Sequence, residues 1–326
     1  MTGTVICGYR RSPRLLVRAL ATVGLACAHA RDLERAGGSS HIHAHYATYP
    51  ALAAWVCRQL ADVTYSFTAH AHDLYVDQSM LGRKVTDAEF VVTVSEFNRE
   101  LLDQFGDGAT PIHVVHSGID SGSYAFRARS IPSDGRVQAL TVASLQTYKG
   151  HAVLIRALAM GGPYVSRITA VFIGDGILRA ELERLASAEG VADRVRFSGA
   201  RTEEEVRKAL GDADLFILPS VVAPDGQMEG LPVALMEALA CGVPTVSTEL
   251  SGIPELVIDG ETGYLAKPGD ADDLHRVLGC ALRNYPSTML LAGRRLIDSE
   301  FDLASTSADL VSLLTRQLDV QSSDMR

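Results

Sequence analysis

Apolar and polar positions follow two patterns along the chain, and the two patterns succeed one another repeatedly. Short β-branched runs bounded by Gly, Pro, Ser or Asp predict strands at residues 41–46, 63–67, 90–94, 112–116, 137–143, 168–173, 195–198, 215–218 and 245–247. Longer stretches with apolar residues three or four positions apart predict helices at residues 15–35, 50–61, 95–105, 151–160, 178–189, 203–210, 232–240, 271–282 and 303–318. This succession is typical of parallel sheets covered by helices on both faces.

One stretch, residues 120–135, has no hydrophobic period and is rich in Ser, Arg, Gly and Pro, which predicts an interdomain linker. We therefore predict an α/β protein of two doubly wound, Rossmann-like modules, residues 1–130 and 131–300. We expect the amphipathic helix at 301–318 to complete the first module. Parallel sheets bind ligands at the carboxyl ends of their strands, so two sheets facing each other would place the chemistry in a cleft between the modules.

Charge and composition exclude several classes of partner and site. The chain has 30 Lys and Arg against 39 Asp and Glu, a net charge of −9, which argues against nucleic acid because binding its phosphates needs a basic face. A small anion held by a local cation remains compatible with this charge. The 5 cysteines are scattered without a Cys-x-x-Cys pair, which favours reduced thiols in a cytoplasmic compartment over disulfides or a thiolate zinc site.

The N-terminal region is basic and partly apolar. Arg10, Arg11 and Arg14 precede the apolar run at residues 15–30, and Arg18 interrupts it. The pattern therefore predicts an amphipathic helix rather than a signal peptide or a membrane span. A solvated helix face is the simpler interpretation, and peripheral contact with an anionic membrane surface is the alternative.

The strongest candidate site surrounds Glu229 and Glu237. Glu237 is the only charged residue between Leu231 and Pro244, within the predicted helix at 232–240. A carboxylate in such an apolar helix costs several kcal/mol unless ligand hydroxyls or a basic side chain pair with it. Glu229 lies just before the helix, where free backbone amides suit a sugar phosphate. Helix capping with a buried ion pair is the structural alternative.

Lys149 follows a predicted strand and begins the helix at 151–160. A cation there opposes the helix dipole unless an anion lies between them. The position therefore indicates an anion-binding site, with an exposed loop lysine as the alternative.

Histidines cluster in the first module. His43 and His45 alternate on one face of a predicted strand, and His70 and His72 follow the next strand together with Asp73. The His-x-His spacing also suits a metal, so a metal hydrolase that uses these four histidines is one hypothesis. No later set of metal ligands accompanies them.

Together these segments resemble the retaining glycosyltransferases of family 4. The segment from Glu229 to Pro244 is similar to the family's Glu-x7-Glu motif, and Ser251-Gly-Ile-Pro and Asp259-Gly-Glu-Thr-Gly continue the likeness. Phe67-Thr-Ala-His-Ala-His-Asp, Val94-Ser-Glu-Phe-Asn and His116-Ser-Gly-Ile-Asp match family segments in the same order. The likeness covers about residues 37 to 318 and is greatest to bacterial exopolysaccharide enzymes of the colanic-acid type.

The resemblance implies the GT-B architecture, with a UDP- or GDP-linked sugar bound by the second module and a saccharide or lipid-linked acceptor on the side of the first. Glu229 would bind the hydroxyls of the donor sugar, and Gly230, Leu231 and Pro232 would line the sugar and phosphate. Glu237 would accept hydrogen bonds from the ribose hydroxyls.

It also implies that Lys149 neutralises the diphosphate and that His70 lines the reaction centre, with His45 and Asp73 as weaker acceptor-side candidates. The chemistry would retain the anomeric configuration, because the leaving phosphate accepts the acceptor's proton on the same face of the sugar. No metal ion and no cofactor are expected.

Two features depart from the family's pattern. Ser144 stands where an arginine commonly serves as a second diphosphate ligand, so one cation is missing there. The segment from Met1 to Ser40 is shorter than the usual opening of the first module. This departure favours a second hypothesis, a catalytically silent GT-B protein that binds nucleotide sugars as a partner.

Overall fold

The computed structural model describes residues 1–36 and 40–324. The chain divides into two compact units, one formed by residues 1–116 together with Ser307 onward, and the other by residues 117–306. Both units are α/β, with parallel sheets, as the succession of patterns predicts. The division falls at residue 117, whereas the linker composition places it near residue 130.

The first unit is built on a four-stranded sheet with the order β1-β2-β3-β4. Its strands are β1 (Ser40–His45), β2 (Val63–Ala69), β3 (Phe90–Thr93) and β4 (Ile112–Val114). All neighbouring pairs are parallel, and His45 at the end of β1 lies opposite Thr68 of β2. The residues that follow β1 and β2 therefore emerge at the same edge of the sheet.

Among the described residues, the helices in the N-terminal part of this unit are α1 (Thr2–Tyr9), α2 (Pro13–Ala36), α3 (Tyr49–Leu60), α4 (Ala71–Tyr75), α5 (Leu81–Thr86) and α6 (Glu96–Asp103). Helices α1, α4 and α5 are absent from the sequence-based assignment. Helices α4 and α5 have only 5 and 6 residues, which is too few to show a helical period.

Helix α2 is amphipathic, as its sequence predicts. Ala19, Val23, Ala26 and Ala30 are buried at intervals of three and four residues, so one side of the helix packs inward. On other sides of the helix, Val17 and Leu25 are each 68% exposed. No helix among the described residues is both long and apolar enough to cross a membrane.

The second unit contains a six-stranded parallel sheet with the order β10-β9-β8-β5-β6-β7. Its strands are β5 (Val137–Val142), β6 (Ile168–Ile173), β7 (Val195–Gly199), β8 (Leu215–Leu218), β9 (Thr245–Thr248) and β10 (Tyr264–Ala266). The chain order reverses between β5 and β8. Such a reversal opens a crevice at the carboxyl ends of the two strands, where α/β sheets bind ligands.

The helices of this unit are α7 (His151–Ala159), α8 (Arg179–Ala188), α9 (Glu203–Asp212), α10 (Val233–Ala240), α11 (Ile253–Leu256), α12 (Ala271–Arg283) and α13 (Ser287–Glu300). One buried cluster holds residues of α7, α8 and α12, and another holds residues of α10 and α13. The sheet is thus covered by helices on both faces, which confirms the doubly wound prediction. Helix α14 (Leu303–Asp324) follows and begins in this unit.

The stretch predicted as an interdomain linker packs onto the second unit instead. The Ile119 amide donates to the Phe301 carbonyl at 2.9 Å, and the Arg127 amide donates to the Cys241 carbonyl at 3.2 Å. The Arg129 guanidinium donates to two carbonyls at the end of α9 and just after it. These bonds depend on residues more than eighty positions away, so the local composition could not reveal them.

Candidate functional site

Lys149 and Glu229 form an ion pair in the second unit. Their side chains are only 16% and 11% exposed, so both charges are largely removed from water. Each charge needs the other, because removing one partner leaves a buried, uncompensated charge that destabilises the folded protein by about 3–5 kcal/mol. Lys149 lies before α7, where a cation is unfavourable unless an anion is nearby, and Glu229 supplies that anion.

The pair lies at the crevice between β5 and β8. Lys149 ends a short 3₁₀ turn after β5, and Glu229 lies in the connection between β8 and α10. The Val221 amide donates to the Tyr148 carbonyl at 2.8 Å and so ties the two connections together. At Gly150, with φ +74°, a Cβ atom would lie 1.7 Å from the Pro219 carbonyl oxygen, so only glycine allows this close approach.

The backbone at Glu229 is fixed by a residue after β9. Ser251 has φ 48°, and its hydroxyl donates to the Glu229 carbonyl at 2.5 Å and to the Gly230 carbonyl at 3.3 Å. Helix α10 begins at Val233 with Pro232 as its N-cap, one residue later than predicted. The first amides of a helix have no partner within it, so Gly230, Leu231 and Pro232 lead into a region of positive potential beside Glu229.

Glu237 has a partner that the sequence did not reveal. The Tyr124 hydroxyl donates to the Glu237 Oε1 atom at 2.7 Å. Burial raises the pKa of Glu237, the hydrogen bond from Tyr124 opposes that rise, and the charge of Glu203 adds to it. The Arg207 guanidinium lies 5.5 Å from the centre of the Tyr124 ring. A half-buried carboxylate held in this way can accept further hydrogen bonds from a ligand.

Ser144 follows β5 and is half-buried at the same edge of the sheet. Its neighbour Ala143 lies so close to Gly174 that a Cβ atom on Gly174, at φ +139°, would be 1.9 Å from the Ala143 carbonyl oxygen. The Leu145 amide donates to the Asp175 carbonyl at 3.0 Å. The second unit therefore holds the predicted residues Ser144, Lys149, Gly230, Leu231, Pro232, Glu229 and Glu237, all in segments that follow strands of one parallel sheet.

The first unit brings together His45 and His70, which follow from β1 and β2. The centres of their rings are 6.3 Å apart at an interplanar angle of 24°. Burial lowers the pKa of His70, the charge of Asp73 opposes this, and His45 adds to it. Because its pKa falls below the ordinary value, the His70 ring is uncharged at neutral pH.

Asp73, which follows β2 shortly after His70, is 1% exposed. Its Oδ2 atom accepts from the Ala47 amide at 2.6 Å and from the His70 amide at 3.1 Å. The carboxylate therefore joins the ends of β1 and β2. Its place in the fold is that of a positioning residue, and the direct acceptor contact expected from the sequence does not suit a side chain so deeply buried.

The two histidines earlier on β1 form hydrogen bonds with side-chain hydroxyl groups of β2. His41 contacts the hydroxyls of Thr64 and Ser66 at 2.8 and 2.7 Å, and His43 contacts those of Ser66 and Thr68 at 2.7 and 2.9 Å. Burial lowers the pKa of His43 to about 4, with smaller effects from His45 and His41. Both ring nitrogens of His43 are thus used. Within residues 1–36 and 40–324, no group of three or more potential ligands is arranged around a metal.

A buried lysine, Lys84 of α5, is also attached to the end of β1. It is 1% exposed, and its ammonium donates to the Ala47 carbonyl and, at 3.4 Å, to the Thr48 carbonyl. Burial lowers its pKa to about 8, although Asp77 and Asp73 act in the opposite direction. Lys84 therefore contributes to the same turn that Asp73 holds.

Sequence reasoning missed Tyr124 and Lys84. Tyr124 lies in the stretch assigned as a linker, where the one available signal is an aromatic pair, Tyr124 and Phe126, within a polar segment. Lys84 lies among the apolar residues Leu81 and Val85 of a helix too short to show a period.

Two protein-family models match the chain. Residues 125–290 match the model described as glycosyl transferases group 1, and residues 5–122 match the model described as glycosyltransferase family 4. The first model alone covers half of the chain.

Individual relatives agree with these models. The amylovoran biosynthesis glycosyltransferase AmsK of Erwinia amylovora is 34% identical over 230 residues, which are 70% of this chain and 56% of AmsK. The chain thus spans about half the length of that relative. A GDP-mannose-dependent alpha-(1-6)-phosphatidylinositol monomannoside mannosyltransferase of Mycolicibacterium smegmatis is 31% identical over 264 residues, 76% of this chain and 69% of that protein.

Among solved structures, HepE of Anabaena in complex with UDP superposes with a TM-score of 0.73. The two proteins are 21% identical, and the match covers 90% of this chain and 82% of HepE. At this level of identity the likeness concerns the fold, and it confirms the predicted architecture of two doubly wound domains.

The buried ammonium of Lys84 predicts a pH dependence of stability. The unfolded lysine keeps its proton up to its ordinary pKa of 10.5, whereas the folded one releases it near pH 8. The unfolded state then binds more protons, so stability rises with pH between these values, by up to about 1.4 kcal/mol per pH unit.

Urea unfolding across this window measures the effect, with Lys84→Met as the control that lacks the titrating group. The free energy of unfolding of the natural protein should rise with pH relative to that of the variant. A difference between the two that is independent of pH would contradict the burial of a charged Lys84.

Proposed function

Because the chain belongs to the family 4 glycosyltransferases of GT-B fold, we propose that it transfers a hexose from a nucleotide-diphosphate sugar to a saccharide or lipid-linked acceptor. The names of AmsK and of the mannosyltransferase support a role in exopolysaccharide or envelope synthesis. The observation that carries the proposal is the Lys149–Glu229 pair at the crevice between β5 and β8. It places a cation for phosphate and a carboxylate for hydroxyls side by side.

In this proposal the second unit binds the donor. Lys149 neutralises the diphosphate, while Glu229 turns to accept hydrogen bonds from the sugar hydroxyls. Gly230, Leu231 and Pro232 line the sugar and phosphate at the beginning of α10. The donor can be UDP- or GDP-linked, since HepE was solved with UDP and the mycobacterial relative is named for GDP-mannose.

Glu237 and Ser144 complete the proposed donor site. Glu237 accepts from the ribose hydroxyls, for which its carboxylate is already half-desolvated and oriented by Tyr124. Ser144 offers a hydroxyl to the diphosphate from the segment that follows β5. A second cation is not needed in this proposal, because the amides at the start of α10 add positive potential.

The proposed chemistry retains the anomeric configuration and uses no metal ion or cofactor. The leaving phosphate accepts the acceptor's proton on the face from which it departs, so the protein supplies positioning and charge stabilisation. His70, uncharged at neutral pH, is the proposed reaction-centre residue of the first unit. Anomeric proton NMR of the product, with and without a chelator, tests this part of the proposal.

Peripheral contact with the cytoplasmic face of a membrane is the remaining part of the proposal. Residues 1–31 contain five arginines and no acidic residue, although the whole chain has a net charge of −9. Arg14 and Arg18 lie on α2 near the exposed Val17 and Leu20, which are 68% and 39% exposed. Basic and apolar groups together favour an anionic lipid surface.

The donor site predicts the effect of Glu237→Ala on nucleotide binding. Loss of the carboxylate removes the acceptor for the ribose hydroxyls, and the affinity for UDP or GDP should fall about tenfold, or about 1.4 kcal/mol. Isothermal titration of each nucleotide measures the affinity, and thermal unfolding shows that the fold is intact.

Tyr124→Phe is the comparison variant, because it removes the hydrogen bond that orients the carboxylate but keeps the carboxylate itself. Its nucleotide affinity should fall less than that of Glu237→Ala. If Glu237→Ala destabilised the fold while the folded fraction bound nucleotide normally, Glu237 would have a structural role.

Failure of the natural protein to bind any nucleotide sugar at millimolar concentration would refute the donor site. Nucleotide binding without transfer to any acceptor would favour the catalytically silent alternative.

The basic face of α2 predicts that the protein sediments together with vesicles of anionic lipid. The protein should bind vesicles of phosphatidylcholine mixed with phosphatidylglycerol more strongly than vesicles of phosphatidylcholine alone, and added salt should weaken the binding. The variant R14E/R18E should lose this preference. The control R184E/R295E makes the same change of charge at exposed positions of the second unit; equal losses in the two variants would refute the assignment to α2.

A further inference from the structure

Tyr46 has an unusual backbone conformation for an aromatic residue. It follows β1 directly and has φ 80°, in the left-handed region that bulky side chains rarely adopt. The residue is 53% exposed, so burial does not explain why the conformation is kept. Strain of this kind costs about 1–3 kcal/mol and persists where the surroundings impose it, often at binding sites.

The surroundings of Tyr46 do impose it. The Tyr46 amide donates to the Thr68 carbonyl at 2.9 Å, and its carbonyl accepts from the Ala51 amide at 3.2 Å. The next residue, Ala47, is bonded at its amide by the buried Asp73 and at its carbonyl by the buried Lys84. Two buried charged groups thus hold the turn that follows β1.

The turn places the Tyr46 ring beside that of His70, the residue that follows β2, and His70 in turn lies near His45 at the end of β1. The centre of the Tyr46 ring is 4.9 Å from that of His70, at an interplanar angle of 47°. His70 is in turn 6.3 Å from His45. Three adjacent aromatic rings therefore lie at the carboxyl edge of the first unit's sheet, and those of His45 and Tyr46 are exposed.

We propose that Tyr46, together with His45 and His70, forms a stacking surface for a pyranose ring of the acceptor saccharide. This inference rests on the proposed transferase function and names the residue of the first unit that binds the sugar ring. Asp73 and Lys84 are positioning residues that act through the Tyr46–Thr48 backbone. The aliphatic C–H face of a pyranose covers an aromatic ring, and its equatorial hydroxyls remain free for the nitrogens of neighbouring imidazoles.

The chemistry of the cluster favours an uncharged ligand. Asp73 and Lys84 direct their charges to backbone groups, and the His70 ring is uncharged at neutral pH. A diphosphate would find its cation at Lys149 in the second unit, whereas this cluster offers flat rings and hydrogen-bonding edges. A neutral sugar ring is therefore the ligand that fits.

Saturation-transfer NMR with methyl β-D-glucopyranoside and methyl β-D-galactopyranoside tests the proposal without requiring the natural acceptor. Tyr46→Phe keeps the ring. Tyr46→Asn removes the ring, while asparagine tolerates the left-handed backbone. We expect the natural protein and Y46F to bind at least one of the two glycosides, and Y46N to bind it about tenfold more weakly.

Titration with UDP and GDP accompanies each measurement, because the proposed donor site lies in the second unit. Unchanged nucleotide affinity in Y46N, together with weaker glycoside binding, supports the stacking surface. Equal glycoside binding by Y46F and Y46N, or no glycoside binding by a natural protein that binds nucleotide, overturns it. Failure of the natural protein to bind UDP or GDP would instead count against the proposed function.

Asp73→Asn tests the positioning role. The variant keeps the volume of the side chain and removes the charge that joins the Ala47 and His70 amides. Glycoside binding should weaken while nucleotide affinity stays the same. An equal loss of both, accompanied by a lower melting temperature, would show that Asp73 serves stability alone.

Discussion

The ion pair between Lys149 and Glu229 is the interaction on which the second unit's candidate site depends. Two charges that are more than four-fifths shielded from water must be brought together at the crevice of a parallel sheet. Several backbone features accomplish this, including the close approach at Gly150 and the hydrogen bonds of Ser251 to the loop that carries Glu229. The sheet forms the crevice, and the Lys149–Glu229 pair determines that an ammonium and a carboxylate lie beside each other there.

The same pair explains how the site would recognise its ligand in the proposed function. A diphosphate offers Lys149 more negative charge than one carboxylate does, and the sugar attached to it offers Glu229 a set of hydroxyl donors. Binding would thus exchange one ion pair for two new interactions, without leaving either charge unpaired in a shielded position. A ligand with phosphate or sugar alone would replace only one of the partners, which favours the complete nucleotide sugar.

The sequence predicted many of the regular elements, but strand β10 and helices α1, α4, α5, α11 and α13 are absent from the sequence-based assignment. All nine expected strands are present, because most of them are short apolar runs that are buried in a parallel sheet. Glu237 and Lys149 could be singled out because their charges conflict with their local surroundings, and Glu229 because it lies just before the free amides that begin a helix. Their partners could not, since Tyr124 comes from a polar stretch without any period, and Glu229 lies 80 positions from Lys149. The role of the buried Lys84 could not be predicted either, because only the tertiary structure shows which carbonyls its ammonium contacts.

The central claim is that Lys149 is the diphosphate ligand of this protein. The most direct measurement compares the affinity of Lys149→Met and of the natural protein for whichever of UDP or GDP binds, and for the corresponding nucleoside. The account predicts that the variant loses about tenfold or more in affinity for the diphosphate and nothing for the nucleoside. Equal affinities of variant and natural protein for the diphosphate, or equal losses for diphosphate and nucleoside, would contradict it.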